Sequence, residues 1–362
     1  MLRGEEFPSL LWGKYRPAGE IDAQVFTDIN LDKLLHEDVL KILALPCPAP
    51  LITARQRIFM PLCDSPGKEG ECAASFASQL ETLENVSVEL RQAYEAFKNA
   101  QNKLETVLLF RRYANLYAVF CRKAAELDTG NADSELIIEF TTHFKQLDGQ
   151  TARLESGLAE TAEAASRLSE SKLTFTPVGT TLDCPDNEPS ITERIYRVAA
   201  ELGYILPARR PQKQYEVDSF YSDALLRRIP DEADALENLM REFSAVLDPE
   251  IIEYRHEIRF YLTLCDFYAR AVKAGLPLAF PSLRVEPGLE LRAMRDPTLL
   301  IKGCEIVPND ADFSETESVW FLTGANGGGK TTFLRGVAVN LILALSGAPV
   351  IAKSGAVYPY TA

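Results

Sequence analysis

The pattern of hydrophobic and polar positions changes several times along this chain of 362 residues. Residues 1–66 are interrupted by prolines and carry short helical patterns, such as Leu31 to Leu45. From about Ala73 to Leu173, apolar residues recur at helical spacing with few helix breakers, which predicts long amphipathic helices. An alternating stretch with Pro and Gly at 173–189 then predicts a short extended segment, the start of an excursion over about 173–215.

Three further helices are predicted from their caps and apolar faces. Ser190 and Glu193 match a capping box, and Gly203 supplies the end of that helix. Glu232 to Leu247 has a second amphipathic pattern. The best-marked helix begins at Asp248-Pro249-Glu250 and continues to Gly275, about 40 Å at 1.5 Å per residue.

The pattern changes again after this helix. Residues 276–318 alternate short extended segments with prolines, Val319 to Thr323 is apolar and β-prone, and Phe333 to Leu345 has no helix breaker. These features predict a buried strand and a helix on either side of a glycine-rich loop. The predicted fold class is therefore mainly α over residues 1–275, followed by the beginning of an α/β phosphate-loop domain over 276–362.

The glycine-rich loop carries the clearest chemistry in the sequence. Gly324 to Thr331 fits G-x-x-x-x-G-K-[ST], in which successive backbone N–H groups surround the phosphates of a nucleotide. Lys330 would reach the β- and γ-phosphates, and the Thr331 hydroxyl would ligate Mg²⁺. The predicted cofactors are ATP and Mg²⁺, and the predicted contacts are Gly324, Asn326, Gly327, Gly328, Gly329, Lys330, Thr331 and Thr332.

The composition indicates the class of protein and the cellular compartment. A hydrophobic content of 46% and a charged content of 25% are ordinary for a globular protein. Seven scattered cysteines without a C-x-x-C pair argue against a disulfide framework or a zinc site and favour a reducing cytosol. The apolar run 336–352 includes Asn340 and a Gly347-Ala348-Pro349 break, so we interpret it as a core helix and not a membrane span.

The net charge of the chain limits how it could bind DNA. The net charge of −14 argues against a protein that coats DNA, because phosphate neutralisation needs clustered Lys and Arg. The best candidate for a local DNA contact is a proline-bracketed loop with Arg209, Arg210 and Lys213. An ordinary solvated loop is the alternative interpretation of these residues.

The residues around the loop resemble the MutS family of mismatch-repair ATPases. The family shows an Arg-His-Pro-like triplet, a V-P-N-D segment, T-G-P-N-M-G-G-K-S-T and a following arginine. This chain has the corresponding segments Arg295-Asp296-Pro297, Val307-Pro308-Asn309-Asp310, Thr323 to Thr332, Arg335 and a short tail, Gly347 to Ala352. It departs from the family pattern with Asp296 for His, Ala325 for Pro and Gly327 for Met. Residues 26–35, 52–62 and 261–281 resemble the family's helical core and last lever helix.

The resemblance implies a function in DNA mismatch repair or related DNA processing. Residues 1–275 would be the helical core and lever, Val307 and Pro308 would lie near the adenine, and the nucleotide state would be coupled to DNA. A cytoplasmic homodimer of the full-length protein would hold the DNA, with no membrane partner. The chain resembles a divergent branch without the mismatch-recognition domain, and we expect it to be an N-terminal fragment cut within the ATPase domain.

The fragment hypothesis has consequences for activity and order. The parent would be a DNA-dependent ATPase, whereas we expect this chain alone to be inactive and residues 321–362 to be poorly ordered or in oligomer contacts. Two other functions remain open: a non-enzymatic helical interaction module with a vestigial phosphate loop, and another ABC-type ATPase of the SMC or Rad50 kind. An acidic pair after an apolar strand further along the parent sequence would favour the ATPase.

Overall fold

The computed structural model describes most of the chain: residues 8–13, 15, 20–45, 47–63, 71–128, 134–176, 179–183, 215–302, 306–317 and 319–359. The predicted fold class is confirmed, since long helices are followed by a small sheet late in the chain. The helices in the described residues are α1 (Ala23–Asp28), α2 (Glu37–Leu43), α3 (Ala49–Cys63), α4 (Glu71–Lys98), α5 (Lys103–Ala125), α6 (Glu135–Gln146), α7 (Asp148–Glu160), α8 (Ala162–Glu170), α9 (Tyr215–Leu226), α10 (Pro230–Phe243), α11 (Tyr254–Lys273) and α12 (Lys330–Leu345).

The strands form two separate sheets. The hairpin of β1 (Lys172–Thr176) and β2 (Gly179–Asp183) occupies the predicted extended segment. The second sheet has the order β3-β6-β4-β5, with β3 (Ser282–Leu283) parallel to β6 (Ser354–Val357). Its longer strands, β4 (Gly288–Met294) and β5 (Asn309–Ser314), pair antiparallel, as do β4 and β6.

The chain divides by its contacts into two compact units. The first contains residues 1–87, 122–146 and 250–362, and the second contains residues 88–121 and 147–249. Residue 275 thus lies inside the first unit, and the division into domains at 1–275 and 276–362 stays a prediction.

The second unit has an apolar core of its own. Residues of α5, α8, α9 and α10, with Ile229 between the last two helices, are buried together in it: Val107, Ala165, Leu168, Leu225, Leu226, Ile229, Ala233 and Leu236. Arg111 of α5 donates from Nη2 to the Leu158 carbonyl at 2.8 Å. The amphipathic pattern predicted for 232–247 thus corresponds to α10, whose apolar face is buried here.

In the first unit, α11 is the central helix. Phe59 of α3 contacts three of its rings, Tyr261 at a centroid distance of 5.0 Å, Phe260 at 5.9 Å and Tyr268 at 6.4 Å. The sheet packs on α12 through buried residues that include Leu291, Met294, Ala344, Val350 and Val357. Both α11 and α12 are therefore fixed within the same unit.

Two predicted helices differ in detail from the structure. The helix expected from 248 to 275 begins as a 3₁₀ turn over Pro249–Glu253 and becomes α-helical only at Tyr254. Its twenty α-helical residues span about 30 Å, not 40 Å. Such turns are frequent at helix N-termini, and burial of Ile251 and Ile252 fixes this one. The segment Leu31 to Leu45 is likewise divided into a 3₁₀ turn and α2.

The apolar run 336–352 is a buried element of the fold. It forms the end of α12 and the following turn, and among the described residues no helix is long and apolar enough to cross a bilayer. The interpretation of this run as a core helix is confirmed. The helix predicted from Ser190 to Gly203 lies outside the described residues.

Candidate nucleotide-binding site

The segment that leads into the phosphate loop is not the buried strand that the sequence predicts. Residues 319–325 have no strand pairing in the described part of the chain. Val319 and Phe321 are 72% and 91% exposed, respectively. A strand needs a neighbour that pairs with its backbone N–H and C=O groups, and none of β3 to β6 pairs with this segment.

The loop itself has the backbone conformation that its glycines allow. Gly327 and Gly329 have φ of 80° and 82°, the left-handed region that residues with a Cβ avoid. Between them, the Gly328 N–H donates to the Ala325 carbonyl at 3.1 Å, and a Cβ at Gly328 would lie 3.0 Å from that oxygen. The chain therefore turns tightly and enters α12 directly at Lys330.

The Lys330 side chain bonds back to the start of the loop. Its ammonium donates to the carbonyl oxygens of Gly324 and Ala325 at 2.6 and 2.7 Å. Both acceptors are neutral, so the positive charge is held at the loop without a carboxylate partner in these two bonds. Held there, the ammonium is placed to attract an anion that enters the loop.

The start of α12 offers backbone donors to the same anion. Its N-cap, Gly329, has no side chain and makes no capping hydrogen bond. The first N–H groups of a helix have no partner inside it, and the helix dipole adds positive charge at this end. The space beside Gly324, Gly327 and Gly329 is open, with no heavy atom within 4 Å of an added Cβ. This arrangement fits a phosphate group.

A metal ion would find one candidate ligand in the loop. Thr331 is in the first turn of α12 and is exposed. Within the described ranges, no group of three or more His, Cys, Asp or Glu side chains could hold a metal. In nucleotide sites Mg²⁺ is bound by phosphate oxygens and keeps several waters, and the motif predicts Thr331 as a protein ligand.

The other predicted site residues are less well defined. Val307 and Pro308 are exposed residues just before β5, and their place beside an adenine stays a prediction. Arg209, Arg210 and Lys213 lie outside the described residues. Within 321–362, α12 and β6 form a helix and a paired strand with buried residues. The expectation that this segment is poorly ordered or in oligomer contacts stays a prediction.

Aromatic rings connect the exposed segment to the sheet and to α12. The Trp320 ring lies 4.5 Å from Phe313 of β5 and 6.3 Å from Phe333 of α12, nearly parallel to the latter. Trp320 is 41% exposed. The other tryptophan of the chain, Trp12, is buried, so a ligand-dependent change on the long-wavelength side of the emission, where exposed indoles emit, would report on Trp320.

The motif does not predict a group of polar residues that holds α12 from behind. Arg335 donates from Nε to Asp296 Oδ2 at 2.7 Å, and Asn340 donates to the Arg295 carbonyl at 3.1 Å. Both Asp296 and Asn340 are buried. A sequence signal exists, because charged and amide residues interrupt an otherwise apolar helix, but their partners lie 39 and 45 positions away.

Comparison with known proteins gives partial matches. No protein-family model matches the chain. It is 33% identical over 131 residues to Endonuclease MutS2 of Lactococcus lactis subsp. cremoris (strain MG1363), which covers 34% of this chain and 16% of that protein. It is 28% identical over 163 residues to the DNA mismatch repair protein MutS of Carboxydothermus hydrogenoformans, with coverage of 41% and 19%. An Endonuclease MutS2 of Anaeromyxobacter sp. (strain Fw109-5) is 32% identical over 102 residues, which cover 27% of this chain and 12% of that protein.

The chain is related to the MutS family. The matched part spans less than a fifth of each of these MutS and MutS2 relatives. Two departures from the MutS pattern have local explanations in this chain. Gly327, in place of Met, has the left-handed φ noted above, and Asp296, in place of His, forms the ion pair with Arg335.

Proposed function

We propose that this chain carries the nucleotide-phosphate site of a MutS-like, ATP-dependent DNA-processing protein. The observation that carries the proposal is the conformation of the loop of 324–331. Gly327 and Gly329 have left-handed φ, the start of α12 has no side-chain cap, and the Lys330 ammonium is bonded to the loop. Bound ATP would supply the γ-phosphate, whose presence or absence distinguishes two states of the protein. The chain's own residues bind and orient that phosphate.

Each residue of the loop has a separate role in this proposal. The glycine backbone provides N–H donors at close range, since no Cβ separates the backbone from the ligand. Lys330 exchanges its two carbonyl acceptors for phosphate oxygens, which form shorter and stronger charge-assisted bonds. Thr331 supplies a hydroxyl oxygen for Mg²⁺.

The far end of α12 supports coupling between the nucleotide and the helical part of the first unit. Tyr268 of α11 donates from its hydroxyl to the Pro349 carbonyl at 2.7 Å. Arg55 of α3 donates from Nη1 to the Ser346 carbonyl at 3.2 Å. A shift of α12 on binding phosphate would therefore be felt directly by α3 and α11, which are packed against each other.

The direct test is titration of the chain with Mg·ATP, followed by calorimetry and by Trp320 emission. We expect saturable binding that Lys330→Ala weakens about 10- to 150-fold, because a hydrogen bond to a charged group contributes about 1.5–3 kcal/mol. Lys353 is an exposed lysine after the buried turn, so Lys353→Ala is the matched control and should bind as the wild type does.

Two results would contradict this function. Absence of Mg·ATP binding by the wild-type chain would favour the helical interaction module with a vestigial loop. Equal loss of affinity in Lys330→Ala and Lys353→Ala would mean that the nucleotide binds through general charge and not through the loop.

DNA binding and dimer formation belong to the same proposal at the level of the whole protein. We propose that a homodimer of the full-length protein holds DNA, with Arg209, Arg210 and Lys213 as the contact on this chain. Because the net charge is −14, we expect weak binding of duplex DNA that decreases steeply with salt. Anisotropy titrations should show further loss in Arg209→Ala/Arg210→Ala, whereas Arg227→Ala/Arg228→Ala, an exposed pair outside that loop, is the control.

A further inference from the structure

A buried ion pair joins the first half of α12 to the segment that follows β4. Arg335 donates from Nε and Nη2 to Asp296 Oδ2 at 2.7 and 2.6 Å, and these side chains are 12% and 1% exposed. The other carboxylate oxygen, Oδ1, accepts from the backbone N–H and the hydroxyl of Thr298 at 2.9 and 2.7 Å. Both carboxylate oxygens of Asp296 are thereby hydrogen-bonded, so the carboxylate is held in one orientation. The position of the Arg335 guanidinium is restricted in turn.

A second contact fixes the same face of α12 further along. The buried Asn340 donates from Nδ2 to the Arg295 carbonyl and accepts from the Ile351 N–H at 2.7 Å. Between these two contacts, α12 packs closely against the segment that carries Asp296, since a Cβ at Gly336 would lie 3.6 Å from the Asp296 backbone. We call the group of Asp296, Arg335 and Asn340 the polar clasp.

We infer that the polar clasp positions the phosphate loop, with Asp296 as the positioning residue for the nucleotide site. This inference rests on the proposed function. In the described residues, no strand pairs with 319–323, so ring contacts of Trp320 hold the segment before the loop, without the strand hydrogen bonds of a strand–loop–helix motif. Arg335 is five residues after Lys330, about 7.5 Å along the helix, and therefore holds the turn that follows the phosphate donors.

The clasp works through geometry and not through contact with phosphate. Asp296 carries a negative charge that Arg335 neutralises locally, so its own field does not favour an anion. Breaking the pair from one side leaves a buried charge without its partner, which costs more than replacing both groups. If α12 rotates or frays at its first turn, the unpaired charge reaches solvent and this free-energy cost falls. The N–H groups of the loop then no longer point toward one phosphate group.

The experiment compares three variants by two independent measurements. Asp296→Asn removes the charge, Asp296→Asn/Arg335→Gln replaces the ion pair by a neutral amide pair, and Asp312→Asn is the control. Asp312 pairs with Arg292 on the same sheet but is 46% exposed. The measurements are Mg·ATP affinity and amide hydrogen exchange of the nucleotide-free chain.

We expect Asp296→Asn to bind Mg·ATP about tenfold more weakly or worse and to exchange faster in peptides from 324–335, while 288–294 of the sheet stays protected. The neutral pair should recover most of both losses, and Asp312→Asn should change neither. Unchanged exchange in 324–335, or a uniform increase over the whole unit, would overturn the inference. If the wild type does not bind Mg·ATP, the proposed function fails, and hydrogen exchange still decides whether the clasp positions the loop.

Discussion

The two ends of α12 have opposite environments. At the N-terminal end, the loop residues 324–329 and Thr331 are exposed, and Lys330 bonds to carbonyl groups of its own loop. At the C-terminal end, Leu343, Ala344 and the turn after the helix are buried to within a few per cent of their surface. One helix of sixteen residues thus joins a site that is open to solvent to the core of the unit.

The difference shows how one element meets two conflicting demands. An anion site needs backbone N–H groups without internal partners, and such groups contribute nothing to folding stability. The far end satisfies its polar groups internally, through bonds to α3, α11 and the segment around Arg295. Stability is supplied at the end where no ligand is proposed to bind, so the end with the proposed ligand site can keep its N–H donors open.

The comparison predicts the largest loss of stability at Gly347. This residue has φ of 80°, and an added Cβ would lie 2.7 Å from Arg55 Cβ and 2.8 Å from the Ile52 carbonyl oxygen. Gly347→Ala combines left-handed strain, about 1–2 kcal/mol, with overpacking against α3, about 1–3 kcal/mol. We therefore expect urea unfolding to give a loss of about 2–5 kcal/mol.

Gly275→Ala is the control that separates these two costs. Gly275 has a similar φ of 75°, but no heavy atom lies within 4 Å of an added Cβ. It should lose only the strain, about 1–2 kcal/mol. Equal losses in both variants would mean that the turn after α12 is not tightly packed, and the contrast between the two ends would be weaker than the structure indicates.

The second prediction concerns Asn340, in the middle of the helix. Asn340→Ala leaves the buried Ile351 N–H and the Arg295 carbonyl without these partners, and an unsatisfied buried polar group costs about 1–3 kcal/mol. The loss should be smaller than for Gly347→Ala in the same urea titration. Thr332→Ala, near the exposed end of the same helix, is the matched control. A neutral result for Asn340→Ala would show that water replaces these bonds.

These predictions also show what the sequence alone could supply. The apolar run at 336–352 predicts a core helix because its polar residues are too few and its break too early for a membrane span. The helical stretch from 73 to 173 is equally accessible, since Leu136, Phe140 and Phe144 recur at helical spacing and are buried. Periodicity and turn residues are local properties, and they decide local structure well.

Features that depend on distant partners were not predictable in this way. Val319 to Thr323 has the composition of a strand, but strand formation depends on neighbours that composition does not describe. The pair of Asp296 and Arg335 joins residues 39 positions apart, and the sequence shows only that each is charged. The motif predicts which residues form the loop, whereas the structure adds what holds the helix behind it.

The third prediction returns to the loop. Gly329 has φ of 82° and open space around an added Cβ, so Gly329→Ala should cost only left-handed strain, about 1–2 kcal/mol. Its loss in urea unfolding should match that of Gly275→Ala and not that of Gly347→Ala. A loss as large as that of Gly347→Ala would mean that the loop is packed against other residues and would remove the distinction between the two ends.

The smallest effect on stability is expected at Lys330, the residue on which the proposed nucleotide binding depends most. Its two hydrogen bonds go to loop carbonyls that solvent can also satisfy, and exposed residues of this kind usually change stability by less than about 0.5 kcal/mol. Lys330→Ala should therefore unfold at the same urea concentration as the wild type while losing its affinity for Mg·ATP. If Lys330→Ala instead destabilises the chain by about as much as Asn340→Ala, the lysine holds the loop together. The two ends of α12 would then differ in exposure but not in purpose, because binding and stability would depend on the same residue.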